Sequence, residues 1–161
     1  MQPKARVIGV DPGPTPGFCV IWENPLETPW VFQTNHEAAV DLLEDLSTAR
    51  PLGNFPQILA IEKFVVGRRA ARSATAQAGE ITRSLIAKLE AASLRLPVDE
   101  VLKRPATQVK AWATDKRLEA SGLARLTKGM PHARDAARHA LYTAVADGFH
   151  PDPLSKKARE K

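Results

Sequence analysis

The sequence predicts an α/β fold in which a mixed five-stranded sheet has helices on both faces. Three β-rich runs come first, two more follow with helical patterns between them, and further helical patterns end the chain. This order of elements is typical of a mixed sheet covered by helices on both sides. Apolar residues make up 43% and charged residues 25% of the 161, which is ordinary globular usage and enough to bury a core.

The first three strands come from the start of the chain. Residues 6–10 and 17–23 are β-rich runs separated by PGPTP, whose Pro and Gly residues suit a connection rather than a strand. These two runs predict an antiparallel hairpin. Trp30, Val31 and Phe32 predict a short third strand.

A helix, a strand and a second helix come next. Asn35 can cap the first helix, which we expect to end near Arg50, before Pro51. Its apolar residues recur at helical spacing: Ala39, Leu42, Leu43 and Leu46. Residues 58–62 form a short apolar run like a buried strand, and residues 70–92, rich in Ala, Leu and Ile, predict one long helix.

The rest of the chain predicts one strand and three helices. Residues 98–103 are the strand candidate, and two short helices follow in PATQVKAWA and TDKRLEASGL, with Gly122 as their stop. Residues 131–148 carry small residues on one face, which suits a helix lying close on the sheet. We assign residues 1–150 to a single domain and residues 151–161 to a basic, solvated tail.

Charge and cysteine content narrow the class of protein. The formal net charge is +5, from 23 Lys and Arg against 18 Asp and Glu, which favours a polyanionic partner. The single cysteine, Cys19, excludes an intrachain disulfide and a Cys-rich zinc site. No segment is as long and apolar as a membrane span, and the first residues lack the apolar core of a signal peptide. We therefore expect a soluble, cytoplasmic protein.

Three carboxylates stand at the ends of predicted elements. Asp11 ends the first strand before a Pro-Gly turn, Glu62 ends the strand after the first helix, and Asp135 lies near the start of the last helix. Acids on neighbouring strands lie about 4.8 Å apart, and a nearby helix can add the third. Such a cluster repels itself, and Mg²⁺ would relieve the repulsion because it prefers oxygen ligands. Two such ions about 3.5 to 4 Å apart serve phosphodiester hydrolysis.

Each of these acids also has a simpler interpretation. Asp11 can initiate a turn, because Asp is favoured before Pro-Gly. Glu62 can be an exposed charge at a strand end, and Asp135 can favour the positive end of a helix. It is the joint placement of the three acids that favours a metal site.

The motifs, taken in order, resemble those of the RuvC-like Holliday junction resolvases of the ribonuclease H-like superfamily, in particular divergent phage-type members. The family's first strand, acid, Pro-Gly turn and returning strand resemble VIGVDPGPTPGFCVI, and its second acid-bearing strand resembles ILAIEKF. The next helix is similar to AQAGEITRSLIAKL, the proline-led Val-Lys segment to RPATQVKAW, and the last helix to HARDAARHAL. The resemblance reaches to about Gly148 and implies a ribonuclease H-like fold.

The resemblance also implies a metal centre. Asp11, Glu62 and Asp135 match the family's metal-binding acids, and His132 matches a fourth position that is Asp in some members and His in others. His139 competes for that position, although a half-buried helix histidine is its simpler interpretation. The implied cofactors are two Mg²⁺ or Mn²⁺ ions. The implied enzyme is a homodimer that nicks two strands of a four-way junction, encoded by a bacterium or by a phage.

A basic segment after the second acid predicts contacts with DNA. Arg68, Arg69 and Arg72 follow Glu62 closely, and their guanidinium groups can hold phosphates. Phe64 could stack on an unpaired base, but it is better interpreted as a core residue.

Other basic residues are further candidates. Three lysines can contact phosphate: Lys110, Lys116 and Lys128. Lys110 is supported by the Val-Lys resemblance, whereas Trp112 is better interpreted as core than as a stacking platform. The tail can add salt-sensitive DNA affinity through Lys156, Lys157, Arg159 and Lys161.

Three other functions are compatible with these residues. Cleavage of flaps, replication forks or RNA–DNA hybrids needs the same metal centre, and only the surrounding surface selects the substrate. An actin-like nucleotide-binding domain also opens with a strand followed by Asp-x-Gly, but the chain is short for its two lobes. The third alternative is a catalytically inactive DNA-binding module.

Overall fold

A computed structural model describes residues 4–65 and 73–159, with the side chains of residues 73–75, 157 and 159 left out. The five strands are β1 (Arg6–Asp11), β2 (Gly17–Ile21), β3 (Trp30–Gln33), β4 (Gln57–Lys63) and β5 (Glu100–Pro105). The helices are α1 (Ala39–Thr48), α2 (Ser73–Ser93), α3 (Ala106–Trp112), α4 (Asp115–Ala120), α5 (Leu123–Leu126), α6 (Pro131–Ala146) and α7 (Lys156–Arg159). A short 3₁₀ turn, His36–Ala38, leads into α1, and the Asn35 side chain caps it, as predicted.

The strands form a mixed five-stranded sheet in the order β3-β2-β1-β4-β5. The hairpin β1–β2 and the pair β2–β3 are antiparallel, whereas β1–β4 and β4–β5 are parallel. The predicted mixed sheet is therefore confirmed, and β1 lies at its centre. Because β1 and β4 are parallel neighbours, their carboxyl ends meet at the same edge of the sheet.

The two faces of the sheet carry separate apolar clusters, because alternate residues of each strand point to opposite sides. Ile8, Leu59 and Ile61 pack with α1 and α2. Val7 and Ala60 pack on the other side with α6 and the short helices before it. The prediction of helices on both faces is thus confirmed.

Helix α6 lies unusually close to the sheet, as its small residues predict. An added Cβ at Gly9 would stand 2.3 Å from the carbonyl oxygen of Ala136. An added Cβ at Gly17 would stand 2.1 Å from the carbonyl carbon of His132. Only glycine permits such contacts, so these two positions fix the height of α6 over β1 and β2.

The segment after residue 150 differs from the predicted solvated tail. Both carboxylate oxygens of Asp152 accept hydrogen bonds from Arg117, at 3.1 and 2.9 Å. These bonds hold the pKa of Asp152 below its ordinary value. The charged pair, which the apolar pattern of the sequence could not indicate, therefore ties residues 151–155 to α4. No helix in residues 4–65 and 73–159 is long and apolar enough to cross a membrane.

Candidate active site

Two of the predicted acids lie side by side at the carboxyl edge of the sheet. Val10 of β1 pairs with Ile61 of β4, and the next residue of each strand is Asp11 and Glu62. Each acid follows by two residues a position that faces α6, namely Gly9 and Ala60. Since strand side chains alternate, both carboxylates point to the α6 side.

Helix α6 brings three further side chains over this edge. His132, Asp135 and His139 are spaced by three and four residues, so they lie along one stripe of the helix. His132 Nδ1 lies 3.0 Å from Asp11 Oδ2 and is hydrogen-bonded to it. His139 Nε2 lies 3.3 Å from Glu62 Oε2. His132 therefore contacts Asp11, and His139 lies beside Glu62.

The third acid, Asp135, faces a lysine. Lys110 Nζ of α3 lies 3.3 Å from Asp135 Oδ1, and Arg138 Nε lies 3.8 Å from the same oxygen. Half of the Lys110 side chain is exposed. Lys110 was predicted as a phosphate contact, which stays a prediction; its ammonium group lies beside Asp135, at the rim of the acidic cluster.

The pKa of Asp11 is raised by its burial and by its acidic neighbours. Burial raises this pKa from the ordinary 3.8 to about 6, with Glu62 as the next contribution and Asp135 as a smaller one. The hydrogen bond and charge of His132 act in the opposite direction. The three carboxylates therefore interact as one cluster, in which an additional positive charge would be stabilising.

The donor set fits a divalent cation by its chemistry. Three carboxylates and one imidazole are oxygen and nitrogen ligands suited to Mg²⁺ or Mn²⁺. The raised pKa of Asp11 reflects its burial and, after that, the negative charges of Glu62 and Asp135, which a cation would neutralise. No group of three His, Cys, Asp or Glu side chains in residues 4–65 and 73–159 already converges in ligand geometry. Each acid is instead turned towards a nitrogen of His132, His139 or Lys110.

Comparison with known proteins addresses the fold. No protein-family model and no curated protein matches the chain. Among solved structures, T. thermophilus RuvC in complex with Holliday junction substrate superimposes with a TM-score of 0.56 and 22% identity, over 87% of this chain and 92% of that one. This chain has the fold of RuvC. A second Thermus thermophilus RuvC structure agrees, with a TM-score of 0.55 and 19% identity over 86% and 93% of the two chains.

The RuvC fold confirms the predicted ribonuclease H-like architecture. On this fold the predicted aromatic residues pack as expected. Phe64 lies against the cluster under α2, with the Arg83 guanidinium 5.2 Å from its ring centre. Trp112 packs on the α6 side, edge-to-face with Tyr142 at 5.5 Å. Neither ring is a free stacking platform.

The predicted DNA contacts are only partly within the described RuvC-like body. Lys116 and Lys128 are exposed, as is Lys156 at the start of α7. Other predicted contacts lie outside the described residues or side chains: Arg68, Arg69, Arg72, Lys157, Arg159 and Lys161. The roles of all these residues stay predictions.

Sequence reasoning missed two residues that place His132. Gln33 ends β3, and its Oε1 accepts hydrogen bonds from the backbone N–H groups of His132 and Ala133, at 2.9 and 3.2 Å. It thereby satisfies two of the free donors at the start of α6. Gly17 admits the His132 backbone against β2. A glycine opening a strand was the one available signal, whereas nothing local marks Gln33.

Proposed function

We propose that this chain is a metal-dependent endodeoxyribonuclease that cuts branched DNA, with four-way (Holliday) junctions as its substrate. The observation that carries the proposal is the proximity of Asp11, Glu62 and Asp135 at one edge of a RuvC fold, where burial and then the charges of the other two acids raise the pKa of Asp11 to about 6. Buried, mutually repelling acids destabilise a fold, and they cluster where function requires them.

In this proposal Asp11, Glu62 and Asp135 hold Mg²⁺ or Mn²⁺, in two ions per site, and His132 either completes the site as a ligand or assists proton transfer. Divalent cations bound there would neutralise the negative charge of the phosphodiester and would make the attacking water more acidic. The carboxylates would bind and position the cations. Their burial strengthens the attraction between carboxylate and cation, because less water screens the charges. The positive net charge of the chain attracts DNA to an edge that would otherwise repel it.

His132 is placed to handle a proton. Asp11 binds its Nδ1, which fixes the ring, so in this role Nε2 is the nitrogen that acts on the substrate. The His132 side chain is 45% exposed, so the ring can meet a phosphate and its attacking water. A neutral imidazole in that position accepts the proton of the water as the new phosphorus–oxygen bond forms.

Lysine and arginine side chains complete the proposed contacts with DNA. Lys110 lies beside Asp135 and can exchange this carboxylate for a phosphate. Arg68, Arg69 and Arg72, together with Lys116 and Lys128, are proposed to hold the arms of the junction. We also propose a homodimer, because paired incision of a four-way junction requires two active sites.

The test is a cleavage panel with the wild-type protein, Asp11→Asn and Asp45→Asn. The substrates are a mobile four-way junction, a flap, a fork, an RNA–DNA hybrid and linear duplex, each with Mg²⁺, Mn²⁺ or EDTA. Asp45 is an exposed residue of α1 and serves as the matched control. We expect paired nicks near the crossover that EDTA and Asp11→Asn abolish, with junction binding retained and Asp45→Asn fully active.

Other outcomes of the panel are equally informative. Cleavage confined to flaps, forks or hybrids would keep the metal-dependent nuclease and overturn the junction as substrate. Absence of cleavage on every substrate, or full activity of Asp11→Asn, would overturn the proposed chemistry. Light scattering or sedimentation of the same preparation measures the mass of the particle in solution. The mass of two chains is expected, and the mass of one chain would overturn the proposed homodimer.

A further inference from the structure

The two histidines of the α6 stripe have very different surroundings. The His132 side chain is 45% exposed, whereas that of His139 is 3% exposed. His139 Nε2 is buried 3.3 Å from Glu62 Oε2, and within the described part of the chain it has no partner of good hydrogen-bond geometry. This buried ring nitrogen is therefore directed towards the Glu62 carboxylate.

The backbone around His139 is rigid. Ala136 and Ala140 flank it on α6, both are fully buried, and both press against Gly9 of β1. The backbone of His139 therefore cannot move away from the sheet without moving the helix. Glu62, in contrast, has a longer and more flexible side chain at the end of β4, which is 25% exposed.

Within residues 4–65 and 73–159, the Glu62 carboxylate is paired with no nitrogen other than His139 Nε2. Asp11 is bound by His132 and Asp135 faces Lys110, so His139 is the corresponding partner of Glu62. A carboxylate that binds metal through one oxygen is commonly held by a hydrogen bond at the other. A small rotation of the Glu62 carboxylate would align Oε2 with the Nε2–H of His139.

We propose that His139 is a positioning residue: it donates Nε2–H to Glu62 and fixes the carboxylate for metal binding, without touching DNA. This inference rests on the proposed function, and it separates the two histidines of the helix. His132 meets substrate from its exposed position, whereas His139 acts only through Glu62. A histidine that merely fills the core would affect stability and leave metal affinity unchanged.

The test compares His139→Gln, His139→Asn and His139→Leu. The amide nitrogen of Gln can reach the position of Nε2, that of Asn falls short of it, and Leu donates nothing. Mn²⁺ binding by calorimetry is the readout, beside junction cleavage. We expect His139→Leu and His139→Asn to lower Mn²⁺ affinity about 10- to 100-fold, and His139→Gln to stay within a few-fold of wild type.

A buried histidine at the far end of the sheet provides the control for general destabilisation. His150 Nε2 is bonded to the carbonyl oxygen of Ala5, next to β1 but away from the acids. His150→Leu should lower stability and leave Mn²⁺ affinity unchanged. Equal losses of affinity in His150→Leu and His139→Leu would overturn the positioning role.

A second measurement remains decisive if His139→Leu fails to fold. The nitrogen NMR shifts of the His139 ring should report a protonated Nε2 in metal-free wild type and should move in Glu62→Gln. Unchanged shifts would overturn the contact. If Asp11→Asn loses Mn²⁺ binding while His139→Asn keeps it, only the role of His139 fails. A wild type that binds no Mn²⁺ and cuts no DNA would overturn this inference together with the proposed function.

Discussion

The two ends of the central strand β1 hold ionic groups in opposite ways. At its amino end, Arg6 is fully buried, and its Nε and Nη2 donate to both oxygens of Glu23 at 3.0 and 3.1 Å. At its carboxyl end, Asp11 is gathered with Glu62 and Asp135, and its own hydrogen-bond partner is the half-exposed ring of His132 rather than a buried guanidinium. One end is a compensated ion pair, and the other is an excess of negative charge.

The pKa values of the two carboxyls express this difference. Burial disfavours the charge of Glu23, but the hydrogen bonds and charge of Arg6 outweigh it and hold its pKa below the ordinary value. Burial likewise disfavours the charge of Asp11, and Glu62 adds to the effect, so its pKa rises to about 6. At the amino end of β1, the charge of Glu23 is compensated by Arg6. At the carboxyl end, the charge of Asp11 is only partly compensated, and there we propose that a cation binds.

The largest loss of unfolding free energy should come from breaking the Arg6–Glu23 ion pair at the amino end of β1. Arg6→Met removes the guanidinium and leaves Glu23 and the carbonyl oxygens of Arg50 and Pro51 without their donor. We expect a loss of about 3 kcal/mol or more of unfolding free energy, since removing one partner of a buried pair strands the other. Urea unfolding measures it.

The double variant Arg6→Met with Glu23→Gln is the control for this prediction. Removing both charges should recover part of the loss, because no unpaired carboxylate remains. Equal stability of the single and double variants would show that packing of the Arg6 stem, rather than compensation of charge, stabilises the amino end.

At the carboxyl end, the next largest effect should come from the backbone contact below His132. Gly17→Ala places a Cβ 2.1 Å from the His132 carbonyl group, so the start of α6 must shift. We expect a loss of about 1 to 3 kcal/mol, typical of overpacking, and a strong loss of cleavage because His132 moves from Asp11. Gly13→Ala is the matched control, since its nearest atom would be Thr82 Oγ1 at 3.9 Å. Normal cleavage by Gly17→Ala would show that α6 can adjust.

Local patterns were sufficient to predict most of the fold. The alternation of apolar residues and the Pro-Gly punctuation located the strands, including the positions of Asp11 and Glu62 at or next to the carboxyl ends of β1 and β4. These predictions succeed because strand direction and side-chain alternation are local properties. The parallel pairing of β1 and β4 then brings two of the acids together with no further information.

The contacts that place the side chains could not be predicted in the same way. Gln33 binds the backbone of His132 across 99 residues of sequence, and Arg117 ties down Asp152 across 35. Which histidine faces which acid depends on the height and rotation of α6, set by contacts at Gly9 and Gly17. Such contacts depend on tertiary packing, which a single sequence does not display.

Removing the charge of Asp11 at the carboxyl end of β1 should stabilise the metal-free protein, whereas removing the charge of Arg6 at the amino end destabilises it. A folded pKa of about 6 against the ordinary 3.8 means that the contribution of Asp11 to stability is complete below about pH 4 and is lost as pH rises through 6. At pH 7.5 the ionised carboxylate costs up to about 3 kcal/mol. Asp11→Asn removes this cost together with the bond to His132, so we expect a net gain of about 1 to 2 kcal/mol.

Unfolding in urea with EDTA, at pH 4.5 and pH 7.5, checks this prediction. The gain from Asp11→Asn should be present at pH 7.5 and should shrink or vanish at pH 4.5, where wild-type Asp11 is protonated. Asp45→Asn, on the exposed side of α1, should show no such pH dependence. A loss of stability at both pH values would mean that the hydrogen bond to His132 outweighs the repulsion among the acids.

The smallest effect should come from Gln33, which joins β3 to the start of α6. Gln33→Leu leaves the N–H groups of His132 and Ala133 without their acceptor, and we expect a loss of about 1 kcal/mol, as for other helix caps. Gln33→Glu keeps an acceptor and adds a charge that the helix start favours, so it should restore stability. Because that charge also adds to the acids of the edge, it should raise the pKa of Asp11 further. If Gln33→Leu unfolds and cleaves like wild type, the contact at Gly17 alone positions His132.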